Sequence, residues 1–405
     1  MPHIRRNATS HAALMVMAGL VLLALNLRPA ATAVGPVLGE IRADLGLNAT
    51  NAGVLTALPA LCFAAFGAMA PIFSNRVGPH RTIGMALVAM VAGQSGRLLV
   101  DAPVPFLLLS VITLGGMAVA NVLLPSLVRR HFPSRIGFIT ALYSTALNVG
   151  TMFAGLFTAP LAMWLGGWRQ SMWIWVGMTV ISCVPWLFLV SADRDHEPIA
   201  RHAAWGFRHI VHTRLGWLMA LFFGAQSTQA YTAFGWLSSI YVDAGASPSF
   251  GGLMLGILTG LSIPFGFLVP MYVSRSERPQ RALWLFGACG ITSYTGLLFA
   301  PLTLPWLWAV LLSIGMSGFP YFLALLGRRA NSSDGVAVLS AFSQSVGYLI
   351  AAIGPFLFGA LRGLTGDFQV PIIVTMVLFL PLVGFGLAAS RPRLIEDELI
   401  AGSND

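Results

Sequence analysis

The sequence predicts an all-α polytopic membrane protein with twelve transmembrane helices in two pseudo-symmetric six-helix bundles. Three observations lead to this fold class: the composition, the recurrence of long apolar stretches, and motifs that repeat at a constant distance. Of 405 residues, 57% are hydrophobic and 9% are charged, whereas about 25% of residues are charged in a typical soluble domain. So few charges in so apolar a chain indicate a protein that lies in a lipid bilayer.

Apolar stretches of about 20 residues, each long enough to cross the hydrocarbon core of a bilayer, recur along the whole chain. We predict twelve spans, at roughly 12–37, 49–73, 82–100, 104–128, 136–164, 171–190, 215–241, 250–273, 282–301, 304–326, 336–361 and 370–389. The chain is therefore expected to cross the membrane many times rather than to be anchored by one helix.

Motifs of the first half recur in the second half at a constant distance of 199 residues. The pairs are Gly67 and Gly266, Pro71 and Pro270, Arg76 and Arg275, Gly116 and Gly315, Met117 and Met316, Arg129 and Arg328, Arg130 and Arg329, and Ser144 and Ser343. A constant offset at several sites indicates two parallel six-helix repeats. Such repeats place a substrate site near the membrane midplane between the halves. The repeat therefore favours a transporter over a membrane sensor or enzyme.

One long polar segment divides the predicted spans into two groups of six. We predict an N-terminal six-helix bundle over 1–190, a cytoplasmic linker over 191–213, and a C-terminal six-helix bundle with a short cytoplasmic tail over 214–405. Histidine-rich tracts can bind metal, but the four histidines of this linker lack a compact ligand spacing. A solvated linker at the lipid headgroups is the simpler interpretation.

The distribution of positive charge predicts the orientation of the chain. All 23 basic residues are arginine. If both termini are cytoplasmic, eighteen arginines lie on the inner side, and the outer side has Arg42, Arg97, Arg169 and Arg362. This asymmetry follows the positive-inside rule and predicts a multi-pass protein of the bacterial cytoplasmic (inner) membrane. It also accounts for the net charge of +9 without a nucleic-acid partner.

The sequence lacks the residue patterns that several chemical functions require. No Asp or Glu lies clearly inside a predicted span, so a buried carboxylate proton relay is not expected. The phosphate-binding motif GxxxxGK[ST], the zinc motif HExxH and the nucleophile motif GxSxG are missing. Cys62, Cys183 and Cys289 fall in separate spans and predict neither a disulfide nor a metal site. We expect a monomer that is not an enzyme, needs no cofactor, and has a small solute and the lipid bilayer as partners.

Arg28 lies in the middle of the first predicted span, and the other spans contain no clearly buried charge. An arginine at the centre of a membrane helix costs about 3 kcal/mol on insertion scales, and it usually faces a partner or a water-filled cavity. Arg28 is therefore the leading candidate to bind an anionic solute.

Further candidates for the substrate site are polar or aromatic residues of four other spans. In the repeat register, Arg28 corresponds to Ser227, which lies in an unusually polar part of the seventh span. The candidates that would orient the solute are Asn121, Gln226, Gln229, Tyr231 and Gln344, and those that would shape the cavity are Trp236, Phe319 and Tyr321. Polar side chains also join membrane helices by hydrogen bonds, and this alternative stays open for each of them.

Two arginines at corresponding positions of the repeat, Arg76 and Arg275, are candidates for gating. Each lies in a loop between neighbouring spans on the predicted cytoplasmic side, where it could pair with helix ends and keep the inner side closed. The positive-inside rule alone also explains them.

The chain resembles the major facilitator superfamily in its repeat, its twelve spans and the loop between spans 2 and 3. Residues 25–36 (LNLRPAATAVGP), 55–59 (LTALP) and 343–355 (SQSVGYLIAAIGP) are similar to the cyanate/nitroimidazole (CynX/NimT) branch. The loop departs from the superfamily pattern G-x-x-x-D-R-x-G-x-R/K, because Pro71 replaces the glycine and Asn75 the aspartate.

The resemblance implies a secondary active or facilitative transporter that works by alternating access. Members of the branch are associated with cyanate uptake or with export of nitroimidazole-like compounds. A cation and an anion about 4 Å apart gain roughly 4 kcal/mol at an effective dielectric constant of 20, so Arg28 favours a small anion. Efflux of a neutral heteroaromatic compound, stacked on the aromatic residues, is the alternative within transport. A non-transporting sensor on the same fold is the alternative outside it.

Overall fold

The computed structural model describes residues 3–189 and 207–401, which are helical apart from short turns; these two ranges contain no β-strand. The first range contains α1 (His3–Leu27), α2 (Pro29–Thr32), α3 (Leu38–Leu45), α4 (Ala49–Cys62), α5 (Ala68–Val77), α6 (Pro79–Arg97), α7 (Pro103–His131), α8 (Ile136–Leu165) and α9 (Trp168–Leu189). The second contains α10 (Phe207–Ile210), α11 (Arg214–Asp243), α12 (Pro248–Arg275), α13 (Arg281–Phe299), α14 (Pro305–Gly315), α15 (Gly318–Arg329), α16 (Ser333–Thr365), α17 (Gln369–Val377), α18 (Phe379–Ala389) and α19 (Ile395–Ala401). Most of the predicted linker lies outside the described residues.

Ten helical segments of the described ranges are long and apolar enough to cross a membrane. Two further long helices, α6 and α11, are less apolar. The α6 helix contains Gln94 and Arg97, and α11 contains the polar run 226–232. The ten segments together with α6 and α11 are consistent with the twelve predicted spans, and the protein is an all-α, multi-pass membrane protein.

The predicted repeat is visible in equivalent local structures. The Asn48 side chain caps α4 by accepting a hydrogen bond from the backbone N–H of Asn51, and Ser247 caps α12 in the same way through Phe250. The two caps are 199 residues apart, which is the spacing found in the sequence. Because capping satisfies backbone N–H groups that a helix leaves free, both repeats begin their second span by the same means.

The two bundles meet at one end of the molecule through close backbone contacts at glycines. A Cβ on Gly53 would lie 2.8 Å from the carbonyl oxygen of Phe356, and a Cβ on Gly252 would lie 2.6 Å from that of Gly155. Gly53 joins α4 to α16, and Gly252 joins α12 to α8. The two glycines are again 199 residues apart. Small residues let membrane helices approach closely. We call this end, which includes α3 and the last turn of α11, the sealed end.

The opposite end, here called the open end, contains the first turns of α6, α11 and α16 and the terminal helix α19. Two carboxylates of α19 bind helix N-termini there. Glu396 accepts hydrogen bonds from the backbone N–H of Ser332 and of the residue before it, at 2.9 and 3.0 Å, and Glu398 accepts one from the N–H of Leu215 at 3.0 Å. Because the N-terminus of a helix attracts negative charge, α19 connects the starts of α11 and α16.

Two arginines of the described residues are buried, and one of them, Arg97, lies within a predicted span, so the expectation that the spans other than the first contain no buried charge is wrong. Arg97, at the end of α6, is 3% exposed, and Arg329, at the end of α15, is 6% exposed. Arg329 donates to the carbonyl of Ala389. Both lie in the last turn of their helices. Each guanidinium donates to a neighbouring backbone carbonyl, and these bonds replace the hydrogen bonds that it would make with water if it were exposed.

Candidate functional site between the two bundles

The first span is interrupted at Arg28. The helix α1 ends at Leu27, Arg28 lies in a turn, and α2 begins at Pro29. Proline has no backbone N–H and therefore cannot continue the hydrogen bonds of a helix. The interruption places a partly exposed arginine at a helix break, an arrangement that membrane proteins tolerate where the chain is buried in protein or lines a cavity.

The backbone just before this break packs closely against α8. The carbonyl of Leu25, which would bond to residue 29 in an unbroken helix, faces Gly150 so closely that a Cβ there would overlap it. In the other bundle, Gly347 makes the equivalent approach to Gly224, where a Cβ would lie 3.0 Å from the backbone nitrogen. The two glycines hold α1 against α8 and α11 against α16, so they fix the helices that carry the site.

The backbone just after the break is held by the buried Arg97. Its two terminal nitrogens both donate to the carbonyl oxygen of Ala30, at 3.3 Å each. The Thr32 hydroxyl donates to the carbonyl of Arg28 at 3.0 Å. These bonds satisfy carbonyls around the break and fix α2, so the position of Arg28 is set from both sides.

The Arg28 side chain faces two tyrosines of the other bundle. Its charge interacts with the phenol groups of Tyr231 on α11 and Tyr348 on α16, and the two phenols interact with each other. Their ring centroids are 6.3 Å apart, and both side chains are partly exposed. Arg28 forms no ion pair with a carboxylate of the described residues. The site therefore combines one cation with two hydroxyl groups across the interface of the bundles.

Phe63 adds an aromatic ring from the N-terminal bundle. Its ring stacks on that of Tyr348 with centroids 4.9 Å apart and an interplanar angle of 19°. Phe63 begins a π-helical turn, Phe63–Gly67, between α4 and α5. Such turns are rare and occur frequently at functional sites. This one lies beside the tyrosines that face Arg28.

A hydrogen bond between the bundles closes the site towards the sealed end. The indole N–H of Trp236 donates to the Thr56 hydroxyl at 3.1 Å and to the carbonyl of Pro355 at 3.2 Å. Trp236 is fully buried. Towards the open end, the described residues show no hydrogen bond and no ring contact that joins α1–α9 to α11–α18 beyond the level of Phe63. The site is closed on one side and accessible from the other.

Comparison with known proteins identifies the family. A family model described as Major Facilitator Superfamily matches residues 14–355. The chain is a member of the major facilitator superfamily. It is 32% identical over 391 residues to the 2-nitroimidazole transporter of Escherichia coli (strain K12), covering 94% of this chain and 97% of that protein. It is 28% identical over 354 residues to the cyanate transport protein CynX of the same strain, covering 86% and 90%. These relatives confirm the CynX/NimT branch.

Solved structures of facilitators confirm the fold. The structure of a bacterial homologue of the human lysosomal transporter Spinster, in an inward-facing and occupied conformation, matches with a TM-score of 0.75. The match covers 97% of this chain and 98% of that one, at 14% sequence identity. At this identity the likeness shows the shared fold alone.

Two predicted residues of this facilitator, Gln226 and Gln229, lie between helices of one bundle. Gln226 is 2% exposed, donates to the Ser227 hydroxyl and packs against Gly318. Gln229 is fully buried and donates to the carbonyl of Thr375 at 2.9 Å. The Gln229 bond corresponds to the alternative stated above, a hydrogen bond that joins membrane helices, whereas the Gln226 bond stays within α11.

The remaining predicted cavity residues are distributed over both bundles. Asn121 is partly exposed on α7, and Gln344 donates to Ser340 of its own helix at 2.7 Å. Phe319 is partly exposed, with its ring centroid 6.2 Å from that of Phe223. Tyr321 is fully buried, and its hydroxyl pairs with Ser390 inside the C-terminal bundle at 2.8 Å. Tyr321 is thus far from solvent, whereas the other three reach it.

The predicted gating residues Arg76 and Arg275 are both exposed, in the last turns of α5 and α12 at the open end. Neither forms an ion pair with a carboxylate of the described residues. A latch that closes this end would not be engaged while the end is open, so their role stays a prediction.

Sequence reasoning did not assign Phe63, Thr56 or Tyr348 to the site. Thr56 could have been identified from the sequence, because it is a polar residue in the apolar interior of α4 and belongs to the LTALP motif. Phe63 could not have been identified in this way, since the segment 63–67 contains no residue pattern specific to a π-helical turn.

Proposed function

We propose that this facilitator moves a small anionic solute across the bacterial cytoplasmic membrane by alternating access, with Arg28 as its binding cation. One observation carries the proposal: Arg28 lies at a helix break between the bundles, partly exposed and without a carboxylate partner among the described residues. Placing a cation there is unfavourable unless an anion or water compensates it. A small anion would accept hydrogen bonds from the planar guanidinium and from the hydroxyls of Tyr231 and Tyr348.

The same site supports a cycle in which the two bundles rock about the solute. The site is closed towards the sealed end and accessible from the open end. By the positive-inside rule the open end is cytoplasmic, with both termini on that side, so the conformation is inward-facing. To release the solute on the other side, the bond from Trp236 to Thr56 must break and the open end must close. We expect Arg76 and Arg275 to form new contacts in that state.

Transport by the purified full-length protein in proteoliposomes tests the proposal. Counterflow of labelled cyanate and of a small aromatic carboxylate would be measured for the natural protein and for Arg28→Gln, Arg28→Lys and the exposed control Arg391→Gln. A hydrogen bond to a charged group contributes about 1.5–3 kcal/mol, or roughly 10- to 100-fold in affinity. We expect Arg28→Gln to lose at least tenfold, Arg28→Lys to lose less, and the control to be unchanged.

The outcomes separate the competing functions. Full transport by Arg28→Gln would contradict the anion site. Export of a neutral heteroaromatic compound, which one relative's name suggests, would show flux that does not depend on the solute's ionisation and survives Arg28→Gln. Binding of ligand without counterflow would indicate a sensor. We expect no chemical conversion of the solute, so the recovered label should be the compound supplied.

A further inference from the structure

A second cavity lies at the sealed end, outside the site described above. It has a volume of about 190 Å³ and lies between the two bundles. The N-terminal bundle contributes Gly39, Glu40 and Arg42, and the C-terminal bundle contributes Ser239, Asp243 and Arg362, among other residues. We call this cavity the crevice. Its lining includes none of Arg28, Tyr231 and Tyr348.

Two arginines, one from each bundle, face each other across the crevice. Arg42 and Arg362 are close enough for their charges to interact repulsively. Each is partly buried, so water screens this repulsion less than it would on an open surface. Closing the sealed end therefore brings two like charges together, which opposes the closure.

The carboxylates of the crevice neutralise these two cations unequally. Asp243 forms an ion pair with Arg362 at 3.3 Å, and the Arg362 guanidinium lies 4.7 Å from the Phe368 ring centroid. The Nε of Arg362 remains buried with no hydrogen-bond partner among the described residues.

The other carboxylate of the crevice, that of Glu40, accepts a hydrogen bond from the backbone N–H of Trp168 in its own bundle. Arg42 donates to the carbonyl of Leu47 at 3.4 Å and forms no ion pair with a carboxylate of the described residues. Arg42 is thus left without a counterion among the described residues, and Arg362 keeps an N–H group that no described residue accepts.

We propose that the crevice binds a small monoanion, a halide or a small carboxylate, between Arg42 and Arg362. The bound anion offsets the repulsion between the bundles and accepts hydrogen bonds from both guanidinium groups. Because it contacts both bundles, it binds only while the sealed end is closed and therefore stabilises that conformation. This site is separate from the one at Arg28 and would exist whatever solute is transported.

A cysteine reporter in the crevice tests the proposal. Ser239→Cys would be introduced into full-length protein whose natural cysteines, Cys62, Cys183 and Cys289, are replaced by alanine. The rate of maleimide labelling would be measured in detergent with increasing chloride, and separately with benzoate, against a bulky sulfonate at equal ionic strength. At an anion concentration tenfold above its Kd, we expect labelling to slow by about tenfold. Comparison of chloride with benzoate distinguishes a solution halide from a carboxylate of the solute class.

Four variants decide the outcome. Arg42→Gln removes the repulsion, so we expect slow labelling at every anion concentration, whereas Arg42→Lys and the exposed control Arg391→Gln should keep the anion response. Arg362→Gln removes the other cation and should also abolish it, which provides a second test if Arg42→Gln does not fold. An anion response that is missing in the natural protein, or that persists in Arg42→Gln, would overturn the proposal.

The Arg28→Gln variant separates this inference from the proposed function. Loss of transport with an unchanged anion response would support both sites. An anion response that disappears in Arg28→Gln would show that the anion acts at the central site and not in the crevice.

Discussion

The indole N–H of Trp236 and the hydroxyl of Thr56 form a hydrogen bond that joins the two bundles at 3.1 Å. Trp236 also donates to Pro355 of its own bundle, so the N–H stays paired if Thr56 is lost. The bond to Thr56 can therefore break during the cycle without leaving a buried donor unsatisfied.

Substituting Thr56→Val should weaken the sealed end. A typical hydrogen bond contributes about 0.5–1.5 kcal/mol, so we expect a roughly 2- to 10-fold shift towards conformations open at that end. Labelling of the Ser239→Cys reporter measures the shift. Thr259→Val is the matched control, because Thr259 is equally buried but its hydroxyl bonds only to carbonyls of its own helix. An equal effect of both substitutions would contradict the role of the bond between bundles.

Removing either phenol hydroxyl at the site should weaken solute binding while the rings stay packed. For Tyr231→Phe and Tyr348→Phe we expect affinity losses of about 0.5–1.5 kcal/mol each, or roughly 2- to 10-fold. Binding to purified protein, measured by calorimetry, gives these values. Tyr272→Phe, at an exposed tyrosine of α12, should bind as the natural protein does. If the two site variants also do so, neither hydroxyl contacts the solute.

Gly150 should tolerate no side chain. A Cβ there would overlap the carbonyl of Leu25, and overpacking of this kind typically destabilises a protein by about 1–3 kcal/mol. We expect Gly150→Ala to lower the thermal unfolding midpoint in detergent. Gly137→Ala, on the same helix but with open space around it, is the matched control and should be neutral or slightly stabilising. Equal midpoints for the two variants would contradict the close contact.

Glu396 should make stability depend on pH in the acidic range. Partial burial acts to raise its pKa, but hydrogen bonds from Ser332 and from backbone N–H groups outweigh this and lower the pKa below the ordinary 4.5. A lowered pKa in the folded state means that the ionised group stabilises the fold above pH 4.5 and that this contribution is lost as the pH falls through the lower, folded value. The unfolding midpoint of the natural protein should therefore fall more steeply below about pH 5 than that of Glu396→Gln. Asp397→Asn, at the exposed neighbouring position, should retain the steep dependence.

Arg97 should be required for stability although it is not expected to touch the solute. Its guanidinium is buried and donates to Ala30 through both terminal nitrogens. Arg97→Ala leaves that carbonyl without these bonds and opens a cavity, so we expect a loss of about 1–3 kcal/mol in unfolding free energy. Thermal unfolding in detergent measures it against the exposed control Arg391→Ala. Unchanged stability would indicate that the bonds to Ala30 contribute little.

The fold was predictable for two reasons. Membrane spans can be recognised from the length and apolarity of a stretch of residues, and the motifs of the repeat recur in the sequence at a constant spacing. Gly116 and Gly315 illustrate this. They were paired by their offset alone, and in the structure each packs tightly on the preceding span, against the carbonyl of Ala86 and the Cα of Gly290. Helices can approach this closely only where a small residue lies at the contact, so both repeats keep a glycine at this position and the pair is visible in the sequence.

The site was only partly predictable, because the sequence does not show where a polar side chain points. Arg28 and Tyr231 were assigned to the site, and the structure brings them together across the bundles. Gln229 was assigned to the site as well, but it bonds to Thr375, a partner 146 residues away along the chain. Arg97 was read as an outer-surface charge because it lies at the end of its span. Whether a terminal arginine turns outwards or inwards depends on carbonyls of other helices.

The attachment of α19 has a consequence for the order in which the protein is made. Leu215, whose backbone N–H is bound by Glu398, is synthesised 183 residues before its partner. At about 5–20 residues per second, this interval is roughly 10–40 s. During that time the start of α11 must rely on water for the bond that α19 later supplies, and the start of α16, made 64 residues before Glu396, does so for the last part of it. The C-terminal bundle is therefore complete only after residue 398 has been made, and a nascent chain stalled before residue 396 would present both helix starts unbound.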